Sequence, residues 1–164
     1  GGSYRYVLTK NEVLQLYKDG RRLFTSYHDE AARVPLNRIL ESNAAEEVKN
    51  KARTLLSFME VPGFDTLKDS FSYSEVAAEP LLYRDCYVSW KGMAANVTRE
   101  EHTSSFDLLV GYDTRRVMEG AVNVVLDFPA EINPSVPLEV LGRIVILPGG
   151  RFMLEAEGIH QLGR

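Results

Sequence analysis

The chain has 164 residues, 45% hydrophobic and 26% charged, which fits one globular domain or two small units sharing a core. No run of about 18 apolar residues offers a membrane helix, and the lone cysteine, Cys86, excludes an internal disulfide and a multi-cysteine zinc site. A formal net charge of -4 argues against a chain built mainly to hold nucleic acid phosphates.

Gly1-Gly2-Ser3 reads as a linker-type segment and is set aside. The chain enters abruptly at Tyr4 to Leu8, which leaves open an upstream signal peptide, lipid anchor or further domain. Residues 4–80 read as helical. Thr9-Lys10-Asn11-Glu12 has the form of a capping box, and Val13, Leu14, Leu16, Tyr17, Leu23, Phe24 and Tyr27 follow at helical spacing. Gly20 interrupts that face and suggests close helix packing. A turn is expected at Ser26 to Asp29. A second helix then carries Ala31, Ala32, Leu36, Ile39 and Leu40, with Pro35 in its first turn or at a kink. Asn43-Ala44-Ala45-Glu46 reads as a second capping box, opening a third helix with Val48, Ala52, Leu55, Leu56 and Met59 inward. Glu46, Glu47, Lys49, Lys51 and Arg53 form its solvated side, and Pro62-Gly63 ends it. Short helical turns are expected at Thr66 to Asp69 and Tyr73 to Val76.

From Leu81 the period changes to two. Tyr83 to Val97 is a long strand, with Cys86, Val88 and Trp90 on one face and a bend or bulge at Gly92. After a charged loop, Ser105 to Tyr112 points Phe106, Leu108 and Val110 inward, and Asp113 to Arg116 forms a hairpin tip. Val122, Val124, Leu126 and Phe128 alternate next. Pro129 to Pro137 is an irregular connection. A fourth strand spans Leu138 to Leu147, and a fifth places Phe152, Leu154 and Ala156 on one face. Five strands in about 80 residues leave no room for β-α-β crossovers. The fold class is therefore α+β: a helical segment, 4–80, packed on a five-stranded antiparallel barrel, 81–164.

Two family resemblances rest on these residues. Leu16, Gly20, Leu23, Tyr27, Ala32, Leu36 and Ile39 resemble one degenerate tetratricopeptide-type helix pair. The strand succession from Tyr87-Val88-Ser89-Trp90-Lys91-Gly92 to Phe152 through Ala156 is similar to an OB-fold, in which a long bent first strand carries a central glycine. An SH3-like barrel or a lipocalin fragment would alternate in the same way. The combined pattern resembles bacterial envelope-associated proteins, which implies a periplasmic or lipoprotein-type location but no activity.

An OB-type barrel is expected to bind on the face of its second and third strands, here Asp107, Leu109, Asn123 and Val125, beside Arg99 and His102. The candidate ligand-binding set is Trp90, Lys91, Arg99, Tyr112, Arg115, Arg116 and Asn123, aromatics and cations of the kind that hold single strands. Against that use, residues 81–164 hold 8 basic and 11 acidic side chains, net -3, and residues 4–80 are net -1. Catalysis finds no nucleophile, phosphate-loop or zinc-helix motif. Glu100-Glu101-His102 reads as a charged loop ahead of a metal site. Asp107 and Asp127 are candidates for a facing carboxylate pair, though outer-face carboxylates in water are the plainer reading. Cys86 reads as a buried inert thiol. The expectation is a non-catalytic binding or scaffold module without cofactor or metal, for a protein partner or self-association. Single-stranded nucleic acid, or a small ligand or glycan, is the alternative.

Overall fold

Thr9 starts the first helix, α1 (Lys10–Thr25), as its spacing to Glu12 predicts. Thr9 Oγ1 accepts from the Glu12 N–H and the Glu12 carboxylate accepts from the Thr9 N–H, both at 3.1 Å. The computed structural model describes residues 4–163, so the Gly1-Gly2-Ser3 segment and Arg164 lie outside the described residues. Tyr27, at φ 65, turns the chain into α2 (Asp29–Leu40). Gly20 allows α1 to approach α2 closely: a Cβ there would stand 2.7 Å from Leu36 Cδ2. Pro35 lies in the interior of α2, not in its first turn, and the helix runs through it.

The second capping box does not form. α3 (Glu46–Ser57) has Ala45 at its N-cap, with no side-chain hydrogen bond. Asn43 is engaged elsewhere, its Oδ1 accepting from the Leu8 N–H at 2.7 Å. The segment before α1 pairs there with the turn after α2, through a bridge between Tyr6 and Ser42. Tyr6 itself is pinned by its hydroxyl, which donates to Glu79 at 2.5 Å. Burial first, and then that carboxylate, push the phenol up to about 12. Lys49, expected in solvent, is buried, with its ammonium 5.1 Å from the Tyr4 ring centre. α3 also stops well before Pro62-Gly63. Leu36, Ile39 and Ala52 are the fully buried centre of this helical layer.

The short α4 (Tyr73–Ala78) begins at a capping box between Ser72 and Glu75. It belongs with the barrel: Val76 is buried in the barrel core, and Phe71 and Tyr73 pack against that core. A 3-10 turn at Pro80–Tyr83 follows. The long strand therefore starts later than Tyr83, because Asp85 at φ 65 breaks the extended backbone.

The five strands are β1 (Tyr87–Arg99), β2 (Ser104–Val110), β3 (Gly120–Leu126), β4 (Leu138–Ile146) and β5 (Phe152–Gln161). They close in the order β1-β2-β3-β5-β4. In that order β3 and β5 run the same way, so their contact is parallel, through Val124 with Leu154 and Val125 with Glu155; every other pair is antiparallel. β1 pairs with β4 from Tyr87 to Gly92 and with β2 from Gly92 onward. Its register breaks between Ala95 and Thr98, where Asn96 takes φ 53, and not at Gly92. Phe106, Leu108, Val124, Leu126, Leu138, Val140, Ile144 and Leu154 fill the interior. Phe128, expected to continue the inward alternation, is 42% exposed because β3 ends at Leu126.

α2 fastens the helical layer to the start of β1 with polar side chains at helical spacing. Glu30 Oε1 accepts from the Tyr87 N–H at 2.9 Å. Asn37 Nδ2 donates to the carbonyls of Leu82 at 2.8 Å and Arg84 at 3.0 Å. Glu41 pairs with Arg84 at 3.4 Å. Glu30 is buried, and burial holds its carboxyl above the ordinary carboxylate range, although the Tyr87 N–H and Arg33 pull the other way. The folded protein thus binds this proton more tightly than the unfolded chain. Its contribution to stability is full below the ordinary carboxylate pKa and falls as pH rises toward the raised value. Glu30→Gln keeps an acceptor for Tyr87 and removes the ionisation. In urea melts between about pH 4 and 7, the variant is expected to gain on the parent as pH rises. A constant difference would contradict this account.

Candidate functional site

The structure scatters the residues expected to bind a ligand. Trp90 is a core residue, 5% exposed; its Nε1 donates to the Phe71 carbonyl at 2.8 Å, and Tyr73 and Phe152 meet its ring edge to face. Its faces are closed to a stacking base. Lys91 is exposed on a cleft of about 340 Å³, but Asp113, Glu119 and Glu139 share the lining, so the cleft is acidic overall. Tyr112 is half-buried in a 3-10 turn. Arg115, at φ 59, spends one guanidinium N–H on the Ser135 carbonyl at 2.8 Å, and Arg116 is exposed beside it. Arg99 stands eight residues beyond Lys91 on β1, about 26 Å along an extended strand, and pairs with Glu131 at 3.1 Å. Trp90 and Lys91 line that one cleft, and none of the other candidates lines it.

Asn123 does lie on the outer face of β2 and β3, opposite Asp107. Its Nδ2 donates to Asp107 Oδ1 at 3.3 Å, and Asn96 Nδ2 donates to the other carboxylate oxygen at 2.8 Å. Asp107 is therefore paired with amides and does not face Asp127, which falls beyond the end of β3. Glu100, Glu101 and His102 stay in an exposed loop, and no cluster of three metal-ligating side chains occurs among the described residues. Cys86 is buried with its Sγ 3.6 Å from the Glu30 carbonyl, and burial pushes the thiol far up.

The helical layer carries a concave, mainly apolar surface of its own. α2 packs on both α1 and α3, while α1 and α3 barely touch. Between them runs a groove of about 570 Å³. Val13, Leu14 and Tyr17 of α1 form one wall and Val48 of α3, with Ala45 at its N-cap, the other; Leu8 also lines the groove. Leu14 is 52% exposed. The only ionisable groups lining the groove besides Tyr17 are Lys10 and Lys51, one per wall, and neither has an ion-pair partner among the described residues. The sequence showed the two apolar stripes, which read as core. Only the separation of α1 from α3 shows that they border open space.

Comparison with known proteins adds the following. Residues 1–56 match a model described as a domain of unknown function (DUF8514). The helical part is thus not given as a tetratricopeptide repeat, and nothing in the matches bears on envelope association. No curated protein matches the chain in sequence. Among solved structures, a chain of a replication protein A heterotrimer bound to ssDNA is 18% identical with a TM-score of 0.37, covering 48% of this chain and 58% of that one. A protein described as an aspartyl-tRNA synthetase from Leishmania major Friedlin is 12% identical with a TM-score of 0.43, covering 71% of this chain and 26% of the other. This chain accordingly spans little more than half of the first and about a quarter of the second. Residues 65–160, which take in α4 and all five strands, match the model described as the spirochaete C-terminal OB fold. That is more than half of the sequence, and the chain belongs to the spirochaete C-terminal OB-fold family.

Proposed function

We propose that the chain is a non-catalytic binding module that holds a protein partner through its helical layer, with the OB barrel as a rigid base, within a larger assembly. The observation that carries this reading is the open apolar groove between α1 and α3. The exposed Leu14 and the apolar side chains beside it offer a seat for the apolar anchors of a partner. The outer face of β2 and β3, where OB barrels take oligonucleotides or oligosaccharides, has at its centre Asp107, already paired with Asn123 and Asn96, beside the half-buried Leu109 and Val125. Glu100 and Glu101 flank it, so a polyanion meets carboxylates there. Placement of the partner in the cell envelope, as the resemblance implies, is part of the proposal.

Photo-crosslinking in the source cells tests it. A benzoylphenylalanine at position 14 is expected to give a discrete protein adduct, and the same residue at position 123 none. The cellular fraction holding the adduct tests the envelope placement. No adduct from position 14, or one from position 123 alone, would overturn the reading.

A further inference from the structure

Resting on that reading, we infer that the α1–α3 groove receives an amphipathic α-helix of the partner carrying acidic residues along both flanks of its apolar stripe. The first ground is shape. α1 and α3 each turn a stripe spaced three and four residues apart toward the gap, Lys10-Val13-Leu14-Tyr17 on one side and Ala45-Val48-Lys51 on the other. Two helices whose seam is open are the surface into which a third helix sets its side-chain ridges. α2 covers the other side of both and contributes no residue to the groove. The occupant that suits this seam is therefore a helix, for which apolar anchors at i, i+3, i+4 and i+7 are the recognition pattern.

The second ground is charge. The chain is acidic overall, yet the groove is lined by two ammonium groups and no carboxylate. Of the acidic residues nearby in sequence, Glu12 closes the capping box with Thr9, Glu46 pairs with Arg53 at 2.9 Å, and Glu47, beside Val48, is exposed and outside the lining. Lys10 and Lys51 stand on opposite walls, so complementary carboxylates belong on both flanks of the incoming helix. A basic amphipathic helix would bring like charges together on each side.

The probe is a labelled synthetic 16-residue helical peptide with leucines at i, i+3, i+4 and i+7 and glutamates on both flanks. A second peptide has lysines in place of the glutamates. Fluorescence anisotropy with the full chain is expected to show the glutamate peptide binding in the micromolar range, roughly -8 kcal/mol, and the lysine peptide about tenfold weaker. Leu14→Glu, at a half-exposed position that leaves the core intact, is expected to weaken the glutamate peptide about thirtyfold. Lys10→Glu with Lys51→Glu should reverse the preference between the peptides. Circular dichroism checks that both variants remain folded. Equal binding of the two peptides, glutamate-peptide binding indifferent to Leu14→Glu, or charge reversal without effect would overturn the inference. Failure of both peptides to bind, with the position 14 adduct still formed, would overturn the acidic helix while leaving the protein-binding reading intact. Loss of that adduct would remove both. Concentration-dependent dimers broken by the double charge reversal would assign the groove to a second copy and also overturn the inference.

Discussion

Gly92→Ala is expected to stop the barrel from closing. A Cβ built at Gly92 would lie 2.1 Å from the Leu109 carbonyl oxygen and 3.1 Å from Leu108 Cδ1. The oxygen is main chain, held in β2 between β1 and β3, so it cannot swing aside as a side-chain tip does. Gly92 is also where β1 changes partners, standing opposite Leu138 of β4 and Val110 of β2. Relief requires β1 and β2 to separate at the one place where β1 is paired on both sides. The cost is expected to exceed about 3 kcal/mol, at the upper end for overpacking and a large part of the total stability of a domain this size. Urea unfolding should show either no cooperative transition or a much lower midpoint. Gly63→Ala is the control, because its nearest neighbour would be Thr66 Oγ1 at 3.9 Å. It is expected to change stability by less than about 0.5 kcal/mol.

Asn37→Leu is expected to cost about 2–3 kcal/mol, the penalty for leaving buried polar groups unpaired. The side chain is 4% exposed and donates to two carbonyls, those of Leu82 and Arg84. Leucine has nearly the same shape but no N–H, so both carbonyls lose a partner, and that of the buried Leu82 is shielded from water. Asn37→Asp should be at least as damaging, since a carboxylate presents only acceptors to two acceptors. Equilibrium unfolding gives the free energy. Hydrogen exchange over residues 82–87 gives the location, with faster exchange expected at Tyr87 and its neighbours. A variant as stable as the parent would contradict this account.

What the sequence revealed and what it hid divide along the range of the interactions involved. The Thr9–Glu12 box is local and was legible, as was the turn of helix at Tyr73 to Val76. The alternation in β2 and β3 was legible because one face of each strand fills the barrel. Asn43 has the same local pattern as Thr9 but meets Leu8, far off in sequence, which takes its oxygen. Lys49 has the helical position of a solvated residue but meets Tyr4. Tyr83 alternates like a strand, but Asp85 turns the backbone before the sheet begins. The groove was hidden for a related reason. Val13, Leu14, Tyr17 and Val48 form the same periodic stripes whether a neighbouring helix covers them or not.

The fastening between α2 and the barrel has one more consequence. Glu30 and Asn37 grip main-chain atoms of Leu82, Arg84 and Tyr87, and not their side chains. Mutational drift at those three positions therefore leaves that part of the clasp in place, whereas drift at Glu30 or Asn37 breaks it. Evolutionary constraint should fall unequally on the two sides of this joint. It allows the barrel to diversify its surface while keeping its helical companion in the same seat.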